Sequence, residues 1–315
     1  MLASSAPPQR AVTTRRTPAF QRRLALTGLA FIAPFAILFV ATLILPLAYA
    51  AWLSLYREQM VGGNTFVGLA NYVRAFEDPV LRAGLGRVLV FMAIQIPIGL
   101  LIALGAAVAI DSRRLRAAGL FRLGMFVPFA VPTVVAALMW GYMYGPKFGL
   151  VGDVAQWLDV TPPNLLDRGW ILPSMANITI WQGAGYNMLI FFSTLKSIPE
   201  ELYEAAEIDG AGEFRKLISI KLPALRSTIG LTMFFSVIGA IQLFTEPSIL
   251  QSLAPTVITS GFTPNLYSYN LAFAGNSYNY SAAVAVSLGL TTVMLAVAFQ
   301  FFLGRSRRTQ TGLGK

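Results

Sequence analysis

Histidine and cysteine are both absent from this chain of 315 residues. Their absence excludes disulfide bonds, the zinc and haem sites that depend on these side chains, and any nucleophile activated by an imidazole base. No glycine-rich loop of the form GxxxxGKS or GxxxxGKT occurs either, so we do not expect this chain to hydrolyse ATP. The sequence therefore predicts no catalytic centre, no metal site and no cofactor in this chain.

Charged residues are also scarce, at 12% of the chain against about 25% in a typical soluble domain. Hydrophobic residues make up 56%, and they gather into six stretches long enough, with their flanks, for a hydrocarbon core that needs about 20 apolar residues per helix. The predicted spans cover about Leu24–Leu53, Val88–Ile110, Leu120–Tyr144, Ile171–Leu195, Ile229–Phe244 and Ala282–Leu303. The sequence thus predicts an all-α membrane protein with six transmembrane helices in residues 24–304, kinked where prolines fall inside the spans.

Basic residues are distributed unequally between the two sides that these six spans define. Of the 24 Lys and Arg residues, 18 lie in the two tails and in the loops that share their side, which leaves 6 for the opposite side. The positive-inside rule then places both termini and the loop 196–226 in the cytoplasm. We expect residues 1–23, rich in Ser, Pro, Thr and Arg, to form a disordered cytoplasmic tail. Residues 305–315 are predicted to form the C-terminal cytoplasmic tail. The net charge of +10 is therefore a topology signal and not a nucleic-acid footprint.

The loop 197–223 carries the most specific pattern in the chain. Ser197 followed by Glu200 is typical of a capping box that begins a helix, and Gly210 is placed to end that helix in a left-handed cap. A second short helix is predicted after Gly210, and Pro223 is predicted to stop it. The sequence therefore predicts a compact pair of helices on the cytoplasmic face.

The residues Glu204-Ala-Ala-x-x-Asp209-Gly210-Ala, with Ile220-x-Leu222-Pro223 after them, resemble the EAA motif of permease subunits of binding-protein-dependent ABC importers. Phe66-Val-Gly-Leu-Ala-Asn-Tyr72 and Trp181-Gln-Gly183 are similar to segments of the carbohydrate-uptake branch of that family, of the maltose and multiple-sugar type. The likeness extends over about residues 24–304.

The resemblance implies that this chain is a transport subunit and not an enzyme, forming half of a sugar pathway in the bacterial inner membrane. It implies four kinds of partner: a second homologous permease, two copies of a cytoplasmic ATPase that bind ATP and Mg, an external substrate-binding protein, and the sugar. It also implies that the helix pair is a coupling element docked in the ATPase. The residues it assigns to ATPase coupling are Glu204, Ala205, Ala206, Asp209 and Gly210.

Polar residues are rare inside the predicted spans, and those present recur at helical spacing in the fourth and fifth spans. Hydroxyl, amide and aromatic groups of this kind suit a neutral polar ligand such as a sugar. By position and by the resemblance, the predicted substrate pathway comprises Thr179, Gly183, Tyr186, Ser236 and Gln242. The same side chains also fit a simpler interpretation, in which they form hydrogen bonds between helices or pack without contacting substrate.

Other interpretations stay open at this point. A permease for glycerol-phosphate or another polyol is the alternative substrate class, although an anionic ligand would need intramembrane cations that the spans lack. An ion-coupled secondary carrier would need buried ionisable relays, and Glu246 is the only acid in the spans. Glu246 fits either an ion pair with an arginine of the outer face or a substrate contact.

Overall fold

A computed structural model describes residues 18–59, 63–112, 117–146 and 149–311, and within these the side chains of 18–25 and 302–311 are not described. Positions 1–17 of the first predicted tail and 312–315 of the second lie outside the described residues. The chain divides into two compact units, one ending at Trp52 and one beginning at Leu53. All site residues discussed below belong to the second unit.

The described chain is mostly helical, as its apolar runs predict. Its α-helices are α1 Pro18–Phe39, α2 Leu45–Leu53, α3 Ala70–Glu77, α4 Pro79–Asp111, α5 Ala118–Phe126, α6 Thr133–Met143, α7 Leu150–Trp157, α8 Ile171–Leu195, α9 Glu200–Ile208, α10 Glu213–Lys216, α11 Leu222–Ile241, α12 Thr245–Leu250, α13 Pro264–Phe273 and α14 Tyr278–Thr311. Two π-helical turns, Val40–Ile44 and Leu217–Lys221, and one 3₁₀ turn, Val127–Ala130, join helices to one another.

A small antiparallel hairpin corrects the prediction of an all-α chain. Strand β1 covers Tyr56–Gln59 and strand β2 covers Gly63–Phe66, with Tyr56 paired to Phe66. The rings of these two residues meet edge to face with centroids 5.4 Å apart, which stabilises the open end of the hairpin. Four residues per strand are too few for an alternating pattern to stand out in the sequence.

Four helical stretches of the described chain are long and apolar enough to cross a bilayer. These are Leu26–Leu53, Pro79–Asp111, Glu213–Leu250 and Tyr278–Phe301. A fifth candidate is the pair formed by Ala118–Ala130 and Thr133–Met143, which is bent by 100°. Helix α8 has the length to cross, at 25 residues, but it carries the polar cluster of the predicted fourth span and is less apolar.

The predicted third span is therefore broken and not continuous. The break falls at Val131 and Pro132, where the pyrrolidine ring blocks a helical conformation of the residue before it. A carbonyl freed by such a break needs a new partner in an apolar environment. Gln182 of α8 provides one, since its Nε2 donates to the carbonyl oxygen of Val131 at 2.9 Å.

Both π-helical turns end two residues before a proline. The first, Val40–Ile44, precedes Pro46, and the second, Leu217–Lys221, precedes Pro223. Proline lacks the N–H of the helical ladder, and a wider turn directly before it shifts the register of the backbone hydrogen bonds. In both places the helix continues past the proline, as α2 and as α11.

Helices α4, α8 and α11 form the centre of the second unit. One apolar cluster surrounds Phe91 of α4 and Met175 and Ile178 of α8, all at most 1% exposed. A second surrounds Ala107 of α4 and Phe191 of α8, and both residues are fully buried. The close approach of the two helices explains why small residues line this seam of α4.

Asp78 ties the N-terminal end of α4 to α13 and α14. Its carboxylate accepts the backbone N–H groups of Val80 and Leu81 and the hydroxyls of Tyr267 and Tyr280, the hydroxyls at 2.7 Å each. Burial alone would raise the pKa of Asp78, but these four hydrogen bonds to the charged form outweigh burial and lower it below the ordinary value. The cluster thus holds together the ends of three helices.

Gly185 marks the closest helix contact in the centre. A β-carbon built on Gly185 would overlap the backbone carbonyl of Met125 in α5, whereas one on Gly183 would meet nothing within 4 Å. We therefore expect Gly185→Ala to force the two helices apart at a cost of about 1–3 kcal/mol. The measurement is the thermal unfolding midpoint of the purified transporter, and Gly183→Ala is the matched control. Equal midpoints for the two variants would contradict the contact.

Candidate functional site

Helix α9 begins the loop that the sequence singles out, and it begins differently from the prediction. Pro199 is its N-cap residue, and no side chain caps the helix. The Ser197 hydroxyl donates instead to the carbonyl of Thr194 at 2.7 Å, so the predicted capping box does not form. A serine hydroxyl readily bonds the carbonyl three residues back, which satisfies the end of α8 instead of the start of α9.

The end of α9 follows the prediction. Gly210 has φ +72°, its N–H donates to the carbonyl of Glu207 at 3.0 Å, and the N–H of Ala211 donates to the carbonyl of Ala206 at 2.8 Å. These two bonds form a Schellman cap, which requires the left-handed conformation that glycine adopts at least cost. The predicted left-handed cap at Gly210 is confirmed.

The second predicted helix does not stop at Pro223. Helix α10 passes through the π-helical turn directly into α11, with Pro223 near the N-terminus of α11, where a missing N–H is tolerated. The prediction of an isolated second helix is therefore wrong. The loop is connected without interruption to the helix that carries the predicted pathway residues Ser236 and Gln242.

Lys216 fixes α9 against α10. Its side chain is only 7% exposed, and its Nζ lies 2.7 Å from Glu207 of α9 and 3.3 Å from Glu213 of α10. A buried ammonium group needs such partners, because desolvation penalises an unpaired charge strongly. The pair of helices is thereby held in one relative orientation.

A second cluster of charges fixes the loop to the rest of the unit. Asp111, at the end of α4, lies 2.7 Å from Nζ of Lys221 and 3.2 Å from Nζ of Lys196, so one carboxylate joins the ends of α4 and α8 to the π-helical turn. The ring of Tyr203 in α9 lies 5.7 Å from the same Nζ of Lys221. Burial and the nearby carboxylates of Asp111 and Glu213 raise the pKa of the Tyr203 phenol.

The predicted coupling residues lie together on the surface of this chain. Glu204, Ala205, Asp209 and Gly210 are exposed, and Ala206 is half-buried. Beside them, two large apolar side chains project into solvent: Ile208 is 88% exposed and Phe214 is 75% exposed. Exposed apolar groups next to a rigid, charged helix are typical of a protein–protein contact surface.

Two adjoining clefts open between the central helices. The first has a volume of about 340 Å³ and lies between α4, α8, α11 and α12. The second, of about 450 Å³, follows the bend between α5 and α6 and faces α8. Both are lined by Thr133, Thr179 and Glu246, so together they form one polar surface inside an apolar helix assembly.

The structure brings four of the five predicted pathway residues to this surface. Thr179, Ser236 and Gln242 line the first cleft, and Thr179 and Gly183 line the second. Tyr186 does not line either cleft, but its ring stacks on that of Phe129, which does, with centroids 4.8 Å apart. Contact of these residues with a sugar stays a prediction.

Several polar lining residues are not predicted from the sequence, Thr245 at the start of α12 among them. Gln95 of α4 and Thr133 of α6 belong to spans that read as uniformly apolar, and neither was named. The carbonyl oxygen of the Gln95 side chain is buried without a hydrogen-bond partner among the described residues. The sequence shows Glu246 as the only acid in the spans, but it does not reveal its place on both clefts, which depends on the break in the helix between Gln242 and Phe244.

The comparisons with known proteins agree with this arrangement. Residues 95–309 match the family described as binding-protein-dependent transport system inner membrane component. The chain is 32% identical to the diacetylchitobiose uptake system permease protein NgcF of Streptomyces coelicolor over 76% of this chain and 71% of that protein. It is 30% identical to the lactose transport system permease protein LacF of Rhizobium radiobacter over 94% of this chain and 99% of that protein.

A solved structure shares the fold. The crystal structure of a bacterial ABC transporter involved in the import of the acidic polysaccharide alginate contains a chain that superposes with a TM-score of 0.77 at 21% identity, covering 92% of this chain and 97% of that one. An EAA-like loop, a helical membrane fold and a family match over most of the chain thus agree. This chain belongs to the family of inner-membrane components of binding-protein-dependent transport systems.

Proposed function

We propose that this chain forms half of the translocation pathway of a bacterial ABC importer for a sugar or oligosaccharide. The observation that carries the proposal is the polar surface formed by the two clefts, because amide and hydroxyl groups inside an apolar helix assembly are what a neutral, hydroxyl-rich ligand needs. The relatives named for diacetylchitobiose and lactose uptake support a sugar as the ligand.

The assembly that we propose around this chain is supported by its family and by its two surfaces. The exposed residues of α9 and α10 dock in a cytoplasmic ATPase, which is present in two copies and binds ATP and Mg. A second, homologous permease covers the open side of the clefts, and an external binding protein delivers the sugar. We propose six crossings of the inner membrane, counting α8 and the bent pair α5–α6, which would put both termini on the same side. By the positive-inside rule, that side would be the cytoplasm.

Two alternatives have less support. Glycerol-phosphate and other anionic ligands would need a cation, and the described residues that line the clefts include no lysine or arginine. An ion-coupled carrier would need a relay of buried ionisable groups. Among the described residues that line the two clefts, Glu246 is the only charged one.

The sugar site is tested by removing one amide from the cleft. We expect Gln242→Ala to raise the sugar concentration for half-maximal uptake about 2- to 12-fold, as the loss of one net hydrogen bond of about 0.5–1.5 kcal/mol predicts. The assay is uptake by the complete importer in proteoliposomes with its binding protein. Gln251→Ala, which removes an amide outside the clefts, is the matched control. If the sugar concentration for half-maximal uptake were unchanged in the Gln242 variant, Gln242 would not contact the sugar.

The ATPase contact is tested separately. We expect Glu204→Lys to reduce the ATPase that co-purifies with this chain, because it reverses a charge on the exposed face of α9. Glu58→Lys makes the same charge change on the exposed strand β1 and should leave the co-purified amount unchanged. Equal retention in both variants would contradict the assigned contact.

A further inference from the structure

Glu246 is the one charged residue among the described residues that line the two clefts. Its side chain is deeply enclosed, since the residue is only 7% exposed. It nevertheless lines both clefts, together with Thr133 and Thr179, so it stands where the two meet. A carboxyl group at this junction faces whatever passes from one cleft to the other.

No basic side chain compensates this acid within the described part of the chain. The ion pairs found there join other residues, and none includes Glu246. An ion pair retained only for stability would have a partner, because a buried charge left unpaired is strongly unfavourable. Among the described residues and their surroundings, only water or a ligand in the clefts is left to solvate the Glu246 carboxylate.

A second acceptor lines the first cleft together with Glu246. The side-chain carbonyl of Gln95 is buried and accepts no hydrogen bond from the described residues. A carboxylate and an unsatisfied carbonyl both present lone pairs, so the complementary ligand groups are donors such as hydroxyl and ammonium. Carboxylate, sulfonate and phosphate groups bring only further negative charge.

We propose that Glu246 makes this half of the pathway electronegative and so selects uncharged or amino-bearing sugars over anionic ones. The proposal rests on the function proposed above and specifies its substrate class. Uronates, sugar phosphates and sulfonated sugars are repelled at the junction of the clefts, and neutral oligosaccharides and amino sugars pass. Glu246 thereby acts as a specificity-determining residue.

The potential at the junction is measured with a reactive thiol in the cleft. The chain has no native cysteine, so Ser236→Cys introduces a single thiol on this chain. In the assembled importer, the thiol is treated with three methanethiosulfonate reagents that carry a trimethylammonium, a sulfonate or no charge. We expect the cationic reagent to react faster than the anionic one by a factor on the order of ten or more, after correction for their rates with a free thiol.

Three variants on the Ser236→Cys background identify the source of this preference. Glu246→Gln should bring the ratio of the two rates close to one, and Glu246→Asp, which keeps the charge, should preserve most of the preference. Glu77→Gln removes an acid that does not line the clefts and should leave the ratio unchanged. The rate of the uncharged reagent reports whether each variant keeps the cleft open, so a folding defect is recognised as such.

Each outcome decides the proposal. A ratio near one in the Ser236→Cys protein, or a preference for the cation that persists in Glu246→Gln, overturns it. Reaction of the thiol requires neither sugar nor ATP hydrolysis, so these rates are measurable even if the uptake assay with Gln242→Ala contradicts the proposed function. A failure of the sugar assignment and a failure of the electrostatic assignment are therefore distinguishable.

Discussion

Asp111→Asn is expected to destabilise the assembled importer and to release its ATPase. The substitution removes the carboxylate that pairs with Lys221, whose side chain is only 6% exposed. Loss of one partner from a buried ion pair leaves an uncompensated charge, at a cost of about 3–5 kcal/mol. Because the same carboxylate fixes the π-helical turn to the end of α4, the helix pair α9–α10 should lose its orientation at the same time. The measurements are the thermal unfolding midpoint and the amount of co-purified ATPase.

The two lysines that share Asp111 offer a matched comparison. The side chain of Lys196 is 59% exposed and lies 3.2 Å from the carboxylate, so its ion pair contributes about 0–1 kcal/mol. We expect Lys196→Met to be nearly neutral. Lys221→Met should be clearly destabilising, since it leaves the Asp111 carboxylate, with a side chain only 10% exposed, without its closer partner. Equal effects of the two lysine substitutions would contradict the view that the buried pair holds the loop.

Gly210→Pro is expected to abolish coupled transport. Proline has a fixed φ near −65°, whereas Gly210 requires +72°, and proline also lacks the N–H that Gly210 donates to Glu207. The Schellman cap therefore cannot form, and α9 must meet α10 at another angle. Uptake by the complete importer, measured together with its ATP hydrolysis, should show loss of sugar-stimulated hydrolysis.

Milder substitutions near the same turn should reduce coupled transport less than Gly210→Pro does. Gly210→Ala keeps the N–H and costs about 1–2 kcal/mol for the left-handed conformation alone, so partial activity should remain. Gly212→Ala is the matched control, because Gly212 has φ −69° and open space around its α-carbon. If Gly210→Pro supported normal sugar-stimulated hydrolysis, the cap would have no part in coupling.

The sequence predicted the helical content and the turn at Gly210 because these depend on local rules. Apolar runs of sufficient length specify helices in a bilayer, and a glycine after an amphipathic helix specifies a left-handed cap. The co-location of Thr179 and Ser236 also followed, since helical spacing places polar residues on one face of each helix. A measurement on the assembled importer is needed to decide whether these residues contact the substrate or form hydrogen bonds between helices.

Other features depend on contacts that no local pattern encodes. Pro223 was predicted to stop a helix, but a π-helical turn before it allows the helix to continue. The Ser197 hydroxyl donates to the carbonyl of Thr194, in the preceding helix, and does not cap α9. Glu246 reaches the clefts only because the chain breaks after Gln242, and the bond from Gln182 to Val131 spans 51 residues.

Because α10, the π-helical turn and α11 form one uninterrupted helical segment, a movement at one end of this segment is transmitted to the other end. At about 1.5 Å per residue, roughly 40 Å separate Lys216 from Gln242 along the helix axis. A rotation of about 3° at the end that we propose docks in the ATPase would displace the far end by about 2 Å, which exceeds the tolerance of a hydrogen bond. If the proposed ATPase contact and sugar site are correct, a small rotation at the contact is enough to make or break hydrogen bonds between the cleft and its ligand.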